Sequence, residues 1–135
     1  NTISWMVGHL AAHEQRTWLQ RAQGITVSAA VEPCSSGQPP CSPPLAEMWA
    51  AWHAITQAAD PYLDSLTTAT LQTHLIVNGQ PLPENIGTLL RRVTYHYWYH
   101  LGESQAVRQM LGHTGLPQYV GKIPPYQPES DNSHD

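Results

Sequence analysis

The sequence predicts an all-α fold, a helical bundle with at most a short strand or hairpin. Three long segments carry apolar residues at helical spacing. Only residues 67–84 favour a short alternating pattern. Two of the helical segments each hold histidines four residues apart, His9/His13 and His96/His100. That spacing makes side chains neighbours on a helix, and there the pairs gain a chemical meaning.

The first helix is predicted from Thr2 to Ala22, where Ile3, Val7, Leu10 and Trp18 recur on one side. Asn1 or Thr2 caps its start and Gly24 stops it. Residues 24–44 hold Gly24, Gly37 and the prolines 33, 39, 40, 43 and 44, and read as a loop. A connection this long implies a functional lid or a tolerated insertion. A second helix begins near Pro44 or Leu45 with the stripe Leu45, Met48, Trp52, Ile55, Ala59, Tyr62 and Leu66. Pro61 is expected to kink it, to end it near Asp60, or to restart it with Asp60 as cap. Within residues 67–84, Leu71, Thr73, Leu75 and Val77 occupy alternate positions and Asn78-Gly79 signals a turn. Pro81 and Pro83 argue against a proper return strand. The third helix is predicted from Asn85 to Leu111, with Glu84 or Asn85 as cap and Ile86, Leu89, Leu90, Val93, Tyr97, Val107 and Leu111 as its stripe. Residues 1–121 thus form one domain, and residues 122–135, with Pro124, Pro125 and Pro128, an extended or disordered tail.

Length and composition narrow the function classes. A chain of 135 residues, 41% of them hydrophobic, suits a single packed domain. Six Lys and Arg against ten Asp and Glu leave a net charge of -4, which disfavours nucleic acid as a partner. No apolar run is long enough for a membrane span, and no signal peptide is visible, so a cytoplasmic protein is expected. The first residue is Asn1 and the sequence opens almost directly into a helical pattern, as a fragment or a trimmed chain would. Cys34 and Cys41 have the wrong spacing for a CxxC site, and free thiols are expected ahead of the alternative, a small surface disulfide.

Eight histidines make position decisive. On the third helix His100 falls within the apolar stripe, with His96 one turn earlier and Glu103 near the same edge. Two imidazoles and a carboxylate on a core-facing facet are costly to bury without a shared partner, and a divalent metal is such a partner. On the first helix periodicity does not choose between His9 and His13. Glu14 lies within the apolar stripe and needs a partner of its own: a metal-bound histidine that it orients, or an arginine. His53 falls off its stripe, His74 lies in the irregular segment, His113 follows the third helix, and His134 lies in the tail.

The segments Trp5-Met6-Val7-Gly8-His9-Leu10-Ala11-Ala12-His13-Glu14 and His96-Tyr97-Trp98-Tyr99-His100-Leu101-Gly102-Glu103 resemble the HLxxxE helix and the HxxxHxG[EQ] motif of the DinB/YfiT-like superfamily. Residues 106–113 and 116–121 also resemble one branch of it, whereas residues 24–84 carry little likeness. The resemblance implies a DinB-like four-helix bundle whose metal ligands are His9, His96 and His100. It implies zinc or nickel as the metal and, in some members, a small cellular thiol as co-substrate. The family's usual helix before the HLxxxE helix has no counterpart here. Either an N-terminal piece is missing or a partner chain, such as a second copy in a homodimer, covers that surface, so one apolar groove should be exposed.

Three neutral histidines leave a divalent metal with open coordination positions. The expected function is therefore a metal-dependent thiol S-transferase or hydrolase acting on a small molecule. Glu103 would serve as a general base or orient a ligand, and Glu14 would support a ligand from behind. The alternative is a non-catalytic metal-binding or stress-response protein on the same fold.

Overall fold

The computed structural model describes residues 1–122, 124 and 125. The tail expected over 122–135 therefore lies largely outside the described residues. Helix α1 spans Ile3–Glu14 and runs directly into a π-helical segment, Gln15–Arg21. The Thr2 side chain caps α1 by accepting from the Trp5 backbone N–H. Gly24, at φ 72°, ends the helical run as the sequence indicates, because only a residue without Cβ takes up that left-handed turn cheaply.

Residues 24–44 are more ordered than a loop. They contain a 3-10 helix, Ala29–Cys34, whose Val31 and Cys34 are fully buried. Side chains three apart share a face of a 3-10 helix, so one turn suffices to drive both inward. The stretch before it is pinned by Gln15. This buried side chain accepts from the backbone N–H groups of Val27 (2.8 Å) and Ser28 (2.9 Å) and donates to the Ser28 carbonyl (2.8 Å).

Helix α2, Leu45–Asp64, continues through Pro61 and does not end at Asp60. Pro61 lies on the exposed side, in the last turn, where the loss of one backbone bond and the ring's bulk disturb little. A short helix α3, Thr68–Leu71, leads to strand β1, His74–Val77, and strand β2, Gln80–Asn85. They pair antiparallel through Val77↔Gln80, Ile76↔Pro81 and His74↔Asn85. The turn is Asn78-Gly79, with positive φ at both residues, which suits a tight hairpin. The return strand forms despite Pro81 and Pro83 because β2 pairs only with β1. A strand with one partner tolerates proline on its other edge.

Helix α4, Ile86–Met110, is capped by Asn85, which accepts from the Thr88 backbone N–H at 2.8 Å. Its stripe is buried at Ile86, Leu89 and Val93, while Leu111, at the far end, is exposed. Helix α1 lies at the centre, packed on α2 and on α4. Its small residues Ala11 and Ala12 are buried, as are Met6, Trp18 and Leu19. Alongside α1 a cavity of about 330 Å³ opens between α2 and α4, walled by Met6, Leu10, Trp49, Trp52, Leu101 and His100. Among the described residues no helix is long and apolar enough to cross a membrane.

Candidate metal centre

The site lies where α1 meets α4. His9 and His13 stand one turn apart on α1, and His96 and His100 one turn apart on α4, so the two pairs face each other across the helix interface. His9 and His100 are buried and His96 is partly buried. The Nε2 atom of His96 lies 3.1 Å from Nε2 of His9 and 3.1 Å from Nε2 of His100. One nitrogen from each ring falls within 4.8 Å of the others, so these three residues could hold a metal ion.

The outer nitrogens explain why the inner ones converge. His9 Nδ1 is 2.8 Å from the Cys34 carbonyl, which only accepts, so this nitrogen carries the proton. His100 Nδ1 donates to Glu103 Oε2 at 2.8 Å. Burial opposes ionisation of Glu103, yet hydrogen bonds from His100 and Asn1 outweigh it and hold the carboxyl below its usual range. A neutral imidazole has one N–H, so the Nε2 atoms of His9 and His100 are bare lone pairs. His96 Nδ1 lies 3.1 Å from His13 Nδ1. A proton placed there, donated to His13, leaves the third Nε2 bare as well. A proton on His96 Nε2 instead would satisfy only one of its two neighbours.

Three lone pairs aimed at one point repel unless a cation sits among them. Zinc–nitrogen bonds of about 2.0–2.1 Å put tetrahedral ligand atoms about 3.3 Å apart, close to the 3.1 Å that separates His96 Nε2 from each of the other two. Burial also pushes His9, His13 and His96 toward the neutral form. Burial first, then the neighbouring His9 and Arg16, lowers the pKa of His13 to about 4. Burial, then His13, His9 and His100, lowers that of His96 to about 4. His9 is lowered too, by burial, against the raising effect of the Cys34 carbonyl. The donor set thus fits a borderline divalent cation. Trp5 stacks on the His9 ring, with centroids 4.5 Å apart and planes at 9°, and closes one side of the site.

His9, His96 and His100 come together, and Glu103 stands behind His100. Glu103 has both carboxylate oxygens engaged, the second by the Asn1 side chain at 2.9 Å. Glu14, expected to orient a histidine or to pair with an arginine, bonds to neither: its partner is the Tyr97 hydroxyl. That hydroxyl also accepts from Trp52 Nε1 at 2.7 Å, so one partly buried chain links α1, α4 and α2. Burial raises the pKa of Glu14 and of Tyr97. His74 bonds to the Leu82 carbonyl within the hairpin at 2.7 Å, and His53 is exposed. Sequence reasoning had no signal for the Cys34 carbonyl. It had one for His13, its place one turn from His9, but weighed it only as a ligand.

The family model of the DinB superfamily matches residues 1–104. The chain belongs to the DinB superfamily. The match takes in both histidine pairs and Glu103, so the DinB assignment covers the whole candidate centre. No curated protein and no solved structure matches the chain. The DinB membership and the three-histidine cluster are compatible with metal binding.

Proposed function

We propose that this DinB-superfamily chain binds one divalent metal, zinc or nickel, through His9, His96 and His100, and uses it as a metal-dependent thiol S-transferase or hydrolase. The observation that carries this reading is the convergence of three Nε2 atoms whose rings are each fixed from behind by a different acceptor: a carbonyl, a carboxylate and an imidazole. Acceptors of this kind set the tautomer and raise the basicity of a ligating histidine. When bound, the ion supplies Lewis acidity that lowers the pKa of a coordinated thiol or water.

The remaining chemistry belongs to the chain. The Cys34 carbonyl and Glu103 keep a proton on the outer nitrogens of His9 and His100, so their inner nitrogens stay free to ligate. Glu103 acts through His100, as a positioning residue, because both of its oxygens are already engaged. The cavity beside His100 offers an apolar wall of Met6, Leu10, Trp49 and Trp52 for the body of a small substrate. Aromatic walls with few polar groups suit such a ligand.

The test is turnover of the metal-loaded chain with a low-molecular-weight thiol and an electrophile such as an activated aryl halide, alongside ester hydrolysis. Metal-dependent turnover that is lost in His100→Ala supports the reading. One bound metal without turnover in either assay would leave the non-catalytic metal-binding alternative as the correct one.

A further inference from the structure

Cys34 and Cys41 take no part in the chemistry above, yet the fold brings their sulfurs to 3.9 Å, both as free thiols. The two stand in unlike settings. Cys34 is fully buried at the end of the 3-10 helix. It is clamped against α1 at Gly8, where an added Cβ would come within 2.6 Å of Cys34 Sγ and 2.5 Å of Met48 Sδ. Cys41 is half-buried in the irregular stretch before α2, between exposed Pro40 and Ser42.

We propose that Cys34 and Cys41 form a redox-active dithiol, which a low-molecular-weight disulfide converts into an intramolecular bridge with Cys41 as the entry thiol. Access sets the order of events. The Cys41 thiolate attacks one sulfur of the small disulfide; its S–S bond breaks, and one small thiolate leaves with the electron pair. Cys34 is the resolving thiol. It gives its proton to that departing thiolate and attacks the Cys41 sulfur, and the second small thiolate leaves and takes the proton lost by Cys41. Two protein thiols are oxidised and one small disulfide is reduced to two thiols.

Burial shields the Cys34 sulfur from a small disulfide in solvent but not from the Cys41 sulfur already beside it. A disulfide needs its sulfurs about 2.05 Å apart, so the pair must close by about 1.9 Å. Cys34 is held by Gly8 and Met48, so the Cys41 stretch makes that movement. The bridge then secures the residue whose carbonyl fixes His9.

Intact-mass spectrometry of the whole chain treated with oxidised glutathione tests this. The expected product is a monomer lighter by two hydrogens, restored by a reductant, with no mixed adduct accumulating. Cys34→Ala should stop at a glutathione adduct on Cys41, and the surface change Cys41→Ser should abolish reaction while leaving the fold intact. A persistent adduct on the wild-type chain, disulfide-linked dimers, an unreacted chain, or undiminished reaction of Cys41→Ser would each overturn the proposal.

Discussion

At His96 two nitrogens face different neighbours, and the proton on one decides what the other can do. With Nδ1–H given to His13, Nε2 is a ligand. His13→Ala removes that acceptor without touching the three ligand nitrogens. The expected effect is a loss of about 10–100-fold in metal affinity, the usual cost of removing such a support, with helix content unchanged. Competition against a chromophoric chelator measures it. Glu103→Ala should weaken binding by a similar factor through His100, whereas His53→Ala should have no effect. Acid should act on the same residues. The folded pKa of His13 and of His96 is depressed from 6.5 to about 4, so between those values the unfolded chain binds more protons. Their contribution to stability is therefore full above pH 6.5 and lost as pH falls toward 4. Glu103, also depressed, acts in the same direction below its unfolded value of 4.5. Glu14, raised by burial, opposes it. The metal-free chain should lose stability across pH 6.5 to 4, followed by denaturant titration; a flat profile would contradict the burial of these rings. The pairing of His96 with His100 was legible from their spacing. The choice of His9 over His13 came from the motif alone, because each lies off the centre of the α1 stripe.

Among the elements, the 3-10 helix decides how well the site is built, since its last carbonyl fixes His9. Nothing in the pattern of residues 24–44 announces it, because six residues are too few to show a period and the prolines imitate a loop. Gly8 makes the close approach of this turn to α1 possible. Gly8→Ala would drive a methyl group into Cys34 and Met48. Overpacking of this kind costs about 1–3 kcal/mol. Thermal melting should show that loss together with weaker metal binding, because the Cys34 carbonyl must move. The hairpin was half legible: Asn78-Gly79 specified the turn, while Pro81 and Pro83 argued against a strand that survives by having a single partner. The helices α2 and α4 were legible nearly to their ends, since each carries a sustained apolar stripe and α4 opens with a capping asparagine.

For the whole molecule, α1 is the hub. It is buried on several sides, so its stripe is weak as a period, yet small residues let α2, α4 and the 3-10 turn all approach it. A metal joining α1 to α4 would act as a clasp between helices that are far apart in sequence. Saturating zinc or nickel should therefore raise the melting temperature. At a hundred times Kd the gain is about 2.7 kcal/mol. A strong chelator should reverse it, and calorimetry with and without metal checks both directions. The central claim is more direct still: His9, His96 and His100 together hold one ion. Elemental analysis of the purified chain after loading and desalting, set beside His96→Ala treated in parallel, tests it. The expected result is one metal per wild-type chain and almost none in a folded His96→Ala chain; equal metal in the two would contradict the account.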